Sequence, residues 1–310
     1  MNRLKCSEDG TFKSLTAAAL VALLFCLAGV VIPSAVCAVT AFGEDVKSSD
    51  IVSVEDPLTD MPFMLLRIQA DVQGSLNDLD LDVANASFDL SATGLEGTNA
   101  REVLRRLLET NSNLVEAVTF GKDGKIIVAE CQGCEGGEGA DISSQEHIAH
   151  VLKAKTPTFS GQFLLVEGYH GTALAYPVFS PEGEFLGGIS AIIEPYKLMN
   201  SMVAPNLRFN ISTRSNITDY SFWSMHMDGL IAYDRDESQI GKRLFEDPLY
   251  EPFPSLLELG KRIVAERAGH GYYSFQVAEG DERVVTKESY WTTVGLHGRE
   301  WRLIVTKILA

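Results

Sequence analysis

Eight apolar residues, Leu65, Ile68, Val72, Leu76, Leu79, Val83, Ala86 and Leu90, recur at intervals of 3, 4, 4, 3, 4, 3 and 4. Only an α-helix brings such positions onto one face, so the pattern predicts a single amphipathic helix. At 1.5 Å per residue about 26 residues reach roughly 39 Å, more than the width of one small domain. A helix of that reach lies along two domains or pairs with another chain. Gly74 near its middle and the short run of heptads favour an intramolecular spine, with pairing of two copies as the alternative.

The segments that follow supply what such a spine would carry. "NAREVLRRLLETN" predicts a second helix, capped by Thr98 or Asn99, with Val103, Leu104, Leu107 and Leu108 inward. "LVEAVTFGKDGKIIVAE" reads as a hairpin turning at Lys122-Asp123-Gly124, since Asp-Gly is a strong short-range hairpin signal. A helix over 144–154 precedes a second hairpin in "GTALAYPVFSPEGEFLGGISAII". The same order then returns: a hairpin across Asp228-Gly229, a helical "PSLLELGKRIVAE", and hairpins in "GYYSFQVAEGDERVVTKESYW" and "TTVGLHGREWRLIVTK". Repetition of hairpin, helix and hairpin predicts an α+β chain of two antiparallel-sheet domains that divide near residues 198–210.

Upstream of the helix the chain carries an export signal. Arg3, Lys5 and Lys13 precede an uncharged run from Ser14 to Ile32 and then "PSAVCA", so residues 1–38 read as a signal peptide or an N-terminal membrane anchor, with 39–60 as linker. The expected location is extracytoplasmic, secreted or anchored to the membrane by that segment. A net charge of −16 repels nucleic acid and anionic lipid, which excludes nucleic-acid partners.

In "CQGCEGGEGADISSQEHIAH" the spacing Cys131-x2-Cys134 and His147-x2-His150 comes close to a zinc module. The intervening acidic stretch has no aromatic or leucine to build a finger core, and two neighbouring thiols in an oxidising compartment pair as a disulfide. The expectation is a Cys131–Cys134 disulfide beside solvated histidines and no metal. A zinc site of Cys131, Cys134, His147 and His150 is the alternative.

Three stretches resemble the double-Cache extracytoplasmic sensor domains, a PAS-like family: "YPVFSPEGEFLGGISAIIEPYKL" within residues 175–198, "MHMDGLIAYDRDESQIGKRLFEDPLY", and the closing "WTTVGLHGREWRLIV". The resemblance covers roughly residues 60–310. It implies two PAS-like antiparallel-sheet domains stacked along a long N-terminal helix, with residues 61–200 forming the spine helix and membrane-distal domain and 201–310 the membrane-proximal one. It further implies a ligand pocket in the distal domain. The Arg-x-Trp-Tyr stretch of the amino-acid-binding subgroup is absent, because no tryptophan precedes Trp223, and Ile192 stands nearest the subgroup's acidic position, with Glu194 two residues on.

In a distal pocket of that kind Phe159, Phe163, Tyr169, His170 and Tyr176 would supply aromatic walls with polar tips, the alternative for each being core or rim packing. Trp291, Trp301, Tyr272, Tyr273 and Phe275 are expected to pack the proximal core. Asp234, Asp236 and Glu237 lack EF-hand spacing and read as a solvated turn. No Gly-x-Ser-x-Gly elbow, phosphate-cradling Gly loop or H-E-x-x-H pair occurs, so no catalytic residue is expected, no cofactor, and binding rather than an enzyme. The sequence thus predicts a sensor module that binds a small-molecule ligand, with its output in a membrane signalling partner and a possible homodimer through the N-terminal helix. A surface interaction protein with a closed pocket is the other reading.

Overall fold

The structure, a computed structural model, describes residues 61–131, 137–165, 168–209, 220–277 and 283–309. The expected export segment, the expected linker and Cys134 lie outside the described residues.

The predicted spine is helix α1, Met61–Thr93, and all eight residues of the apolar stripe are buried on it. Gly94 ends it, taking φ +82° and donating its N–H to the Leu90 carbonyl at 2.8 Å, the left-handed stop that glycine adopts at no steric cost. Helix α2, Gly97–Thr110, buries Val103, Leu104, Leu107 and Leu108 as expected, but Glu96 precedes it without a side-chain cap, so neither Thr98 nor Asn99 fills that role.

Five strands follow: β1 Leu114–Gly121, β2 Ile126–Cys131, β3 Thr158–Leu164, β4 His170–Phe179 and β5 Phe185–Ile193. Helix α3, Glu146–Ala154, sits between β2 and β3 and starts later than the predicted 144, because the preceding residues form a turn closed by the Gln145 N–H on the Ile142 carbonyl at 3.0 Å. The second half brings β6 Tyr220–His226, β7 Ile231–Asp234, helix α5 Pro254–Ala265, β8 Gly269–Gln276, β9 Val284–Leu296 and β10 Arg299–Ile308. The two antiparallel sheets have orders β2-β1-β5-β4-β3 and β7-β6-β10-β9-β8, one permutation used twice. Each half therefore holds a hairpin, a helix and a three-strand meander, one strand more than hairpin-helix-hairpin. In the second half the extra pairing comes from β9, which at 13 residues pairs with both β8 and β10.

The segment expected to be a domain divide contains helix α4, Pro195–Phe209. Leu198, Met199 and Val203 bury one face of it, and Asn206 donates to Asp71 on α1 at 2.8 Å. A mixed run with Pro205 inside it hides the helical period from a sequence reading.

Helix α1 is gripped by both sheets. Gln73 exchanges two hydrogen bonds with the backbone of Gly295 on β9, each 3.0 Å, and Gln69 donates to the Thr293 carbonyl at 2.9 Å. On the first sheet Ser87 donates to the Pro177 carbonyl at 2.8 Å. Asp80 joins all three bodies, taking the Tyr176 hydroxyl at 2.7 Å and contacting His297 Nε2 at 2.7 Å. The largest core cluster accordingly includes α1 residues together with Leu174 and Ile189 of one sheet and Phe222 and Leu303 of the other. Trp301, expected in the core of the second half alone, joins this shared core and lies 5.3 Å from Phe159 between ring centroids.

Candidate ligand cavity

A cavity of about 500 Å³ opens in the second half, between the β7-β6-β10-β9-β8 sheet and the segment leading into α5. That volume lies within the range of small-molecule sites. Strand alternation explains its walls. Tyr273 and Phe275, two apart on β8, face the cavity, while Tyr272 between them is turned outward and 53 % exposed, contrary to its expected core position. Trp223 on β6 and Ile231 on β7 continue the apolar wall, and Leu256 on α5 closes one side.

The polar groups come from three segments. Asp234 ends β7, and its carboxylate accepts the Asp236 N–H at 2.9 Å. Asp236 accepts both the N–H and the hydroxyl of Ser238, at 3.1 and 2.7 Å, so its charge is spent on the short turn Glu237–Gln239. Gln239 is buried and takes the Tyr250 hydroxyl at 2.7 Å. Asp234 and Asp236 were expected in a solvated turn; the turn is instead folded under by the Gly241 N–H bonding back to the Ile231 carbonyl at 2.9 Å, which brings both acids to the cavity.

Lys287 is the third contribution. It sits on β9 directly across from Tyr273 on β8 and Ile308 on β10, 9 % exposed, with its ammonium 5.4 Å from the Phe275 ring centre. Among the described residues its ammonium makes no hydrogen bond or ion pair. Burial pulls its ammonium below the usual lysine range, opposed by the charges of Asp234 and Asp236. Burial pushes the Asp234 carboxyl up to about 7, opposed by the Asp236 N–H and by Lys287. The indole N–H of Trp223, whose side chain is 5 % exposed, is buried with no partner. The sequence signal for Lys287 was present but unread: it stands in the inward phase of β9 with Ser289 and Trp291, where a charge is out of place unless a site needs it.

The residues expected to line a pocket in the first half have separate surroundings. Phe159 is 1 % exposed in the shared core. Half-buried Phe163 stacks on His147 at 5.7 Å, and Tyr176 is tied to Asp80 and edge-on to His297 at 5.8 Å. Tyr169 is half-buried. His170 packs on Gly241 of the second half, where a Cβ would come within 2.6 Å of the ring and where φ is +83°, so only glycine fits.

His147 is 2 % exposed rather than solvated, since it lies with Ile148 and Val151 on the inner face of α3; burial pulls its imidazole down to about 4. His150 is exposed and bonded to the Thr156 hydroxyl at 3.0 Å, so of the two rings only His147 is packed inward. Glu146 beside them is ion-paired with Arg299 across the seam between the halves. Among the described residues no group of three His, Cys, Asp or Glu side chains converges as a metal site. Cys131 is disulfide-bonded.

This double-sheet architecture is found in sensory proteins. Residues 74–195 match the model of the family described as HK/GC/chemotaxis protein-like, sensor domain. Among solved structures, an extracellular ligand-binding receptor from Desulfohalobium retbaense is similar with a TM-score of 0.65 and 26 % identity, over 79 % of this chain and 40 % of that one. The ligand-binding domain of the Pseudomonas aeruginosa amino acid chemoreceptor PctC in complex with GABA matches with a TM-score of 0.57 and 15 % identity, over 81 % and 100 % of the two chains. That of the Campylobacter jejuni chemoreceptor Tlp3 with 4-methylisoleucine matches at 0.57 and 11 %, over 81 % and 90 %. No curated protein sequence matches this one. The fold is the double-Cache arrangement of chemoreceptor ligand-binding domains, and within it residues 74–195 are similar to the sensor domain of that family model.

Proposed function

We propose that this chain senses a small molecule outside the cytoplasm and holds it in the cavity of its C-terminal sheet. The observation that carries this reading is the cavity itself: about 500 Å³, walled by aromatic rings, with the buried Lys287 ammonium held by no hydrogen bond or ion pair among the described residues. Strand β9 links the cavity to the spine, because it bears Lys287 at one end and the Thr293 and Gly295 groups that grip α1 at the other. Occupancy can thereby reach α1 and, through it, a membrane signalling partner. The Cys131–Cys134 disulfide, part of this reading, braces the end of β2.

A thermal-unfolding screen of the full chain against amino acids, organic acids, amines and polyols tests it. A ligand at one hundred times its dissociation constant stabilises by about 2.7 kcal/mol, a shift of several degrees in Tm. That shift should vanish when Leu256→Trp fills the cavity and survive Tyr169→Ala. The reverse pattern moves the ligand to the half-buried aromatic set of Phe159, Phe163, Tyr169, His170 and Tyr176 in the first half.

The spine also carries a second apolar face. Phe63, Leu66, Leu81 and Phe88 point outward from α1, with exposures of 41, 57, 60 and 78 %, and Ala70 and Gly74 lie between them along the same side. A Cβ at Gly74 would meet open space, so a second helix can approach closely there. The occupant that fits a self-complementary stripe of this length is α1 of a second copy. The full chain should therefore run as a dimer in light-scattering chromatography, and Leu81→Glu with Phe88→Glu should run as a monomer. A monomeric wild-type chain would sink the homodimer.

A further inference from the structure

We infer that the C-terminal cavity takes a small organic carboxylate with an apolar body, its anionic end seated on Lys287 and the Trp223 indole N–H. The inference rests on the cavity being the ligand site and adds the chemical class of what enters it. Three observations carry it. The Lys287 ammonium is 9 % exposed and has neither hydrogen bond nor ion pair among the described residues. An unpaired buried charge is costly, and an anionic oxygen is the group that offsets the cost. The Trp223 indole is a donor only, it is buried without a partner, and it lines the same cavity. The apolar remainder of the wall, Ile231, Leu256, Tyr273 and Phe275, suits a hydrocarbon or aromatic body.

The acids in the cavity do not compete for this role. Asp236 is engaged by Ser238 and by the Gln239 amide. Asp234 faces Asp236 and Arg235 on its own turn, Lys287 from β9, and the Tyr250 and Tyr273 hydroxyls, and its carboxyl sits at about 7. Arg235 is itself spent on the Tyr220 carbonyl at 3.1 Å. Below pH 7 Asp234 is neutral and can donate to a bound carboxylate; above it, an ionised Asp234 repels one. A cationic ligand would meet the opposite sequence.

The experiment is titration calorimetry of the full chain with sodium 4-methylpentanoate and sodium phenylacetate, with isoamylamine, 2-phenylethylamine, leucine and phenylalanine as the contrasting probes, at pH 6 and 8. The expected result is binding of the carboxylates, about tenfold tighter at pH 6 than at pH 8. Lys287→Met, which keeps the stem, should weaken it at least about tenfold, and Trp223→Phe several-fold. Lys287→Met should keep a single cooperative melt at pH 6, where the Asp234 carboxyl beside it is neutral and loses no counter-charge, so its loss of binding is not a loss of fold. Binding of the amines or amino acids in place of the carboxylates, abolished by Leu256→Trp, would overturn the ligand class and leave the cavity as the site. Carboxylate binding that survives both Lys287→Met and Leu256→Trp would overturn the cavity as well. Absence of binding by every probe would overturn the carboxylate assignment.

Discussion

Leu76→Ala should lower the stability of the whole protein by about 3–4 kcal/mol, and both halves should melt together at the lower temperature. Leu76 is fully buried near the middle of α1, in the core cluster that also holds Leu174 of the first sheet and Leu303 of the second. Truncation leaves a cavity at a point where three rigid bodies meet, and none of them can collapse into it without losing contact with another. At roughly 2–4 °C per kcal/mol for a domain of this size, the midpoint falls by about 10 °C. All three tryptophans, Trp223, Trp291 and Trp301, stand in the second half, so their fluorescence follows that half while far-ultraviolet circular dichroism follows the whole chain. The two transitions should coincide in the variant as in the wild type. A variant whose fluorescence transition is unmoved would mean that α1 does not hold the halves in one cooperative unit.

Arg302→Met should cost about 3 kcal/mol for a different reason. Arg302 is 2 % exposed, and its guanidinium donates to the Ile263 carbonyl at 2.8 Å and the Val264 carbonyl at 3.1 Å, the last turn of α5. A third bond, at 2.9 Å, goes to the Glu300 carboxylate. The end of a helix presents carbonyls with no internal partner and the negative pole of its dipole, and a buried cation satisfies both. Methionine fills the space but leaves those carbonyls dry and unbonded, and Glu300 then depends on Arg267 alone. Urea denaturation should show the loss in the midpoint with an unchanged slope; a loss below about 1 kcal/mol would mean that water replaces the guanidinium.

How much of this was legible without coordinates depends on the range over which each feature is encoded. The α1 stripe, the glycine turns at Gly124, Gly183 and Gly229, and the inward face of α2 are local patterns of a few residues, and each has the expected form in the structure. Helix α4 was missed because its buried residues Leu198, Met199 and Val203 are interrupted by Asn200 and Ser201 and followed by Pro205, so no clean period stands out. His147 was misread as solvated because a histidine on a short helix is as common outside as inside, and only the sheet beneath α3 decides which.

The cavity lies at the other extreme. Its floor requires Tyr273, Lys287 and Ile308 side by side, which depends on β9 pairing with β8 and β10 in one register. Its roof requires the Asp234–Gln239 turn to fold back over the sheet. The amino-acid sequence by itself determined the helical spine, the doubled α+β order and the sensor-family segments, because hydrophobic period and turn chemistry act between near neighbours. Only the tertiary structure decided which side chains line the C-terminal cavity and which charge is stranded in it. Burial of an ammonium or a carboxyl is a property of everything packed around it, and those neighbours are supplied by segments far apart in the chain.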